Sequence, residues 1–105
     1  MKKRITTDYR TGLLGRLKDP GYAEGYLNEA LKMSLEEGNG AGFQLALKDV
    51  AEAHGGMAVL ARETGFKREN LYRILSKERQ PKFDSILKVA NALGYDFGTH
   101  AKATR

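Results

Sequence analysis

Lys67, Arg68, Glu69, Asn70 and Arg73 crowd into one short stretch of the chain. Arg68 and Arg73 can each present two parallel donors, the pattern that fits the O6 and N7 edge of guanine. Asn70 offers the donor and acceptor that pair with adenine, and Glu69 can accept from a cytosine amino group or orient Arg73 one turn on. Lys77, Arg79 and Lys82 follow and suit phosphate oxygens. The chemistry of this set is recognition, with nothing in it that breaks bonds.

Groups that could break bonds are missing or badly spaced. There is no cysteine, which removes thiol catalysis and cysteine metal sites and fits a reducing compartment. His54 and His100 lie far apart, with no acid at ligand spacing, and His54 suits a helix C-terminus. Ser34, Ser76 and Ser85 sit in helical patterns with no base beside them. Gly38-Asn39-Gly40-Ala41-Gly42 resembles a phosphate loop, but it follows a helix and no Lys-Ser or Lys-Thr closes it, so it reads as a connector. The expectation is a protein that is not an enzyme and uses no metal or cofactor.

Charge placement agrees with recognition. Residues 1–54 carry eight basic and eight acidic side chains, so the whole net charge of +5 lies in residues 55–105. From Lys67 to Lys82 there are six basic and two acidic side chains. A charge run most often means a solvated helix face; one this lopsided also suits a polyanion.

The elements needed to hold these groups can be read from periodicity. Asp19-Pro20 starts a helix, with Asp as cap and Pro in the first turn. Tyr22, Tyr26, Leu27, Ala30, Leu31 and Leu35 continue it to Glu37. A second helix over 42–54 turns Phe43, Leu45, Ala46, Leu47, Val50 and Ala53 inward. A short third carries Met57, Leu60 and Ala61, a fourth covers 67–77, and a fifth carries Phe83, Ile86, Leu87, Val89, Ala90 and Leu93. Residues 95–100 are a candidate short strand interrupted by Gly98. The fold class is all-α, a bundle of about five helices with an extra N-terminal helix and a candidate C-terminal strand. Its divisions are a poorly ordered or partner-binding segment at 1–18, a helical domain at 19–94 and a tail at 95–105. The basic start Met1-Lys2-Lys3-Arg4 runs into polar residues where a signal peptide would be apolar, and no run is long enough to cross a bilayer. A cytoplasmic protein without a membrane partner is expected.

Residues 57–76 have the steric pattern of a helix-turn-helix. Ala61 is small where a second helix crosses the first, and Gly65, four residues on, tolerates the positive φ of the turn. Leu60, Thr64 and Phe66 can turn inward around it, while Leu71 and Ile74 lock the second helix on the first. Tyr72 can touch a phosphate or sugar, or cover the edge of the core; the core reading is preferred.

Gly55 through Arg73 resembles the phage-repressor-like (Cro/CI, XRE) helix-turn-helix, and more narrowly the probable addiction-module antidote proteins, the HigA-type antitoxins. Leu17-Lys18-Asp19-Pro20, Tyr26-Leu27-Asn28-Glu29-Ala30-Leu31, Ala46-Leu47-Lys48-Asp49-Val50-Ala51 and Leu87-Lys88-Val89-Ala90-Asn91-Ala92-Leu93-Gly94 match the narrower family too. Lys67 stands where the family often has Ser, and Arg79-Gln80-Pro81 where it usually has Gly-Asn-Pro. The lambda-repressor-like fold follows from the resemblance. So does a DNA-reading role for Lys67, Arg68, Glu69, Asn70 and Arg73, with Lys77, Arg79, Lys82 and the backbone near Gly56 and Met57 on phosphate.

The resemblance further implies an antitoxin of a type II toxin–antitoxin module that binds a RelE-like toxin and represses its own operon. Two alternatives are a stand-alone phage-type regulator and a protein-interaction module that does not touch DNA. A homodimer is expected through the last helix and tail, with Tyr95 and Phe97 as contacts unless these rings cover the domain's own core. Tyr9 to Leu14 are the candidate toxin contacts; Tyr26, Leu27, Ala30 and Leu31 fit packing within the chain at least as well.

Overall fold

A computed structural model describes residues 7–77 and 79–103. The basic start at 1–6, and positions 78, 104 and 105, lie outside the described residues. The described chain is an all-helical bundle: α1 Thr7–Leu17, α2 Pro20–Glu37, α3 Ala41–Ala53, α4 Gly56–Thr64, α5 Arg68–Ile74 and α6 Phe83–Ala92. Among the described residues no helix is long and apolar enough to cross a membrane.

Helix α3 is the centre. Its Leu47, Val50 and Ala51 are wholly buried, and it packs against α1, α2, α4 and α6. Helix α5 rests on α4, and α6 closes the far side against α3 and α4. Leu17, Leu60, Leu71, Leu75 and Val89 complete the deepest layer of the core.

Several boundaries follow from local chemistry. Asp19 Oδ2 accepts from the Tyr22 N–H at 2.9 Å and Pro20 opens α2, as its sequence predicts. Ser34 closes the turn between α2 and α3: its carbonyl accepts from the Gly38 and Asn39 N–H groups, and its Oγ accepts from Phe43 N at 3.1 Å. Ser34 thereby takes the inward position at the end of α2. Leu35, expected on the inward stripe, sits about 100° further round the helix and is 76% exposed.

The N-terminal segment differs from expectation. Over Thr7–Leu17 it is a helix, not a poorly ordered stretch. Gly12 and Gly15 weaken its helical signal, and tertiary contacts supply what local preference lacks. Leu13 and Leu17 are buried. Arg10 pairs with Asp49 at 2.9 Å and with Glu52, and His54 Nε2 lies 3.1 Å from the Leu17 carbonyl. Tyr26 donates to Asp49 at 2.6 Å, and burial, reinforced by that carboxylate, pushes its phenol pKa far up. Of the candidate toxin contacts between Tyr9 and Leu14, Tyr9, Thr11 and Gly12 are exposed, while Arg10 and Leu13 hold α1 to the bundle.

The candidate strand is not formed, and no strand occurs among the described residues. The Tyr95 N–H instead bonds to the Ala90 carbonyl at 2.9 Å, and Phe97 turns onto Phe43 with ring centres 5.6 Å apart.

Candidate nucleic-acid interface

The turn between α4 and α5 hangs on Gly65, whose φ is +81° and whose N–H bonds to the Ala61 carbonyl at 2.9 Å. The buried Thr64 hydroxyl donates to the Leu60 carbonyl at 2.8 Å and accepts from Phe66 N at 3.2 Å. These bonds give α5 its angle to α4. A Cβ at Gly65 would meet open space, so Gly65→Ala should cost backbone strain alone, roughly 1–2 kcal/mol. Urea unfolding measures it; an unchanged midpoint would mean that the turn relaxes without cost.

Helix α5 buries Leu71 and Ile74 against the bundle. At about 100° per residue, that seating puts Glu69 and Arg73 at the middle of the outward face, with Asn70 on one flank and Tyr72 on the other. Lys67 is the N-cap in extended geometry, without a side-chain cap. Lys67, Arg68, Glu69, Asn70 and Arg73 are all exposed. Glu69 makes no ion pair with Arg73; among the described residues the ion pairs are those of Arg10. Tyr72 is 44% exposed, with the Lys48 ammonium 5.5 Å from its ring centre.

Beside α5 lies a hollow of about 700 Å³ lined by Asn70, Arg73, Arg79, Lys82 and Ser85, among others. It brings together four of the eight expected contact residues. Its walls offer two guanidinium groups, an ammonium, two amides and a hydroxyl, a set that can hold a phosphodiester. The Lys88 ammonium lies 5.3 Å from the ring centre of Phe66, a residue of the same hollow. Lys48 and Lys88 therefore extend the basic surface beyond the 67–82 run. No sequence signal singles them out, because each stands alone in its helix and only packing carries it to this face.

Lys77 goes elsewhere. Helix α5 ends at Ile74, three residues short of the expected 77. Gln44 accounts for the early stop. It is 6% exposed, and its Nε2 lies 2.8 Å from the Ile74 carbonyl, 2.9 Å from that of Ser76 and 3.1 Å from that of Arg79. The amide draws three carbonyls to one point and leads the chain off the helical path. Lys77 then lines a second, more apolar hollow with Leu35 and Phe83, while Arg79 lines both. Gln44 and Leu45 thus exchange the expected roles: Gln44 is buried and Leu45 exposed.

The backbone near Gly56 and Met57 begins α4 after Gly55, whose φ is +106°, and no side chain caps it. Its first-turn N–H groups are therefore not taken up by a cap.

A family described as "Probable addiction module antidote protein" matches residues 18–101. The chain is 40% identical over 72 residues to an uncharacterised protein of Haemophilus influenzae, covering 69% of this chain and 69% of that one. No solved structure matches it.

Proposed function

The chain belongs to the probable addiction module antidote proteins, and on that premise we propose that it is a cytoplasmic, non-enzymatic antitoxin that reads DNA. Membership implies a toxin partner. The finer reading is a HigA-type antitoxin of a type II module that neutralises a RelE-like toxin by direct binding and represses its own operon as a homodimer. Its α4–α5 pair acts as a lambda-repressor-like (XRE) helix-turn-helix.

One observation carries the DNA part: the outward face of α5 opens onto the hollow where Asn70, Arg73, Arg79 and Lys82 meet. A helix seated in the major groove would present Lys67, Arg68, Glu69, Asn70 and Arg73 to base edges. The hollow would receive the adjoining phosphate backbone, with Arg79 and Lys82 as its charges.

The test is binding to the promoter fragment upstream of the chain's own gene, measured across a salt series. Arg79 and Lys82, each neutralising one phosphate, would give a log–log slope of about −2 per protomer. A slope near zero, or equal affinity for unrelated fragments, would remove the sequence-reading role. A slope near zero favours the pure interaction module, and the exposed apolar residues Leu35 and Phe83 would be its starting point. An adjacent short gene whose product arrests growth, and is silenced by co-expression of this chain, would separate the antitoxin from a stand-alone regulator.

A further inference from the structure

Helix α2 ends, α3 begins and the 79–83 segment passes around one apolar groove of about 540 Å³. Phe43 forms its floor; Leu35, Phe83 and Phe97 stand at its sides. Phe83 is 68% exposed, with its ring centre 6.4 Å from that of Phe97. Large apolar side chains held this far into water on one contiguous patch mark an interaction surface. Lys77 and Arg79 are the charged residues of its lining, and neither has an ion pair among the described residues. On the α2 side, Glu36 and Glu37 directly follow Leu35 and are exposed.

We infer that this groove is the self-association surface of the chain, occupied by the Leu35-Glu36-Glu37 corner of a second copy. The assignment rests on the homodimer of the proposed function and adds its surface. A two-fold interface must be complementary to itself. This patch meets that condition: it carries a protruding leucine followed along the chain by two exposed carboxylates, and an apolar groove lined by two cations. In the pair, Leu35 of each copy enters the other's groove, and Glu36 and Glu37 face Lys77 and Arg79. Each contact is made twice. The surface lies beside the C-terminal end of α5, so the association sets the spacing of the two α5 helices. It also gives Lys77 a role apart from phosphate, which fits its separation from Asn70, Arg73 and Lys82.

Sedimentation equilibrium of the full chain without DNA tests this. The expected wild-type mass is that of two chains. Leu35→Ser, at an exposed position, should raise the dimer dissociation constant at least about tenfold while the helical circular dichroism is retained. Lys77→Glu with Arg79→Glu should weaken the dimer similarly. Adding Glu36→Lys and Glu37→Lys to that variant should restore it. A monomeric wild type, a dimer insensitive to Leu35→Ser, or a charge reversal without restoration each overturns the assignment. A monomeric wild type whose Leu35→Ser variant loses the neighbouring gene's product gives the groove to that partner instead. A monomer that still prefers its promoter fragment overturns the surface and the homodimer but leaves the DNA reading; a dimer without promoter preference overturns only the DNA reading.

Discussion

Replacing Gln44 with leucine is expected to destabilise the protein by roughly 2–3 kcal/mol and to release the segment after α5. The side chain is buried and its amide nitrogen faces three carbonyls, those of Ile74, Ser76 and Arg79. An amide nitrogen has two hydrogens, so the three acceptors share two donors. Leucine fills a similar volume and donates nothing. The Ile74 carbonyl then loses the Gln44 donor in a buried setting, while those of Ser76 and Arg79 can recover some hydration. For a domain of this size the loss corresponds to a fall of roughly 10–20 °C in Tm. Faster amide exchange confined to residues 75–82 is the local signature. Gln44→Glu should be harsher still, because it sets a carboxylate against the same carbonyls and must be desolvated. A Tm within 1–2 °C of wild type, about the effect of a minor surface change, would mean that the segment is held by other contacts, such as Leu75 and Pro81. Because Arg79 and Lys82 leave this clamp, Gln44→Leu should also weaken DNA binding at temperatures where the chain remains folded.

The second large effect is expected at Arg73. It stands at the middle of the outward face of α5 and also lines the adjoining hollow, a position that serves a base edge. Arg73→Ala should lower affinity for the promoter fragment by about 1–3 kcal/mol, roughly 5- to 150-fold, and leave binding to unrelated DNA nearly unchanged. Arg68→Ala should behave alike. Lys82→Ala, at the N-cap of α6, should weaken all sequences about equally and reduce the salt slope by about 1. Competition binding with matched and scrambled fragments separates the two behaviours. If Arg73→Ala and Lys82→Ala lose affinity equally on both fragments, the outward face of α5 touches backbone, and the base-reading assignment is lost.

These residues show how far sequence reasoning reaches in this chain. Asp19-Pro20 announces the start of α2, because a cap and a rigid first turn act locally. Gly65 with Leu71 and Ile74 announces the crossing of α4 and α5, because left-handed turns and buried stripes leave marks at fixed spacing. The basic composition of 67–82 is likewise a property of the chain itself. Helix α1 leaves no such mark: two glycines interrupt it, and Leu13, Leu17 and Arg10 hold it through partners distant in sequence.

Local residue patterns thus dictate an all-helical chain, most of its helix boundaries, and a basic helix meeting another across a glycine turn. Tertiary structure decided which charges share a surface. Gln44, polar on an apolar helix and without a local partner, became a clamp only when the end of α5 came against it. By stopping α5 at Ile74 it sent Lys77 to the Leu35–Phe83 groove and left Asn70, Arg73, Arg79 and Lys82 around one hollow. Local preferences act over one or two helical turns. Gln44 and Arg79 are separated by many turns of chain, so only the packing of α3 against the segment after α5 could join them.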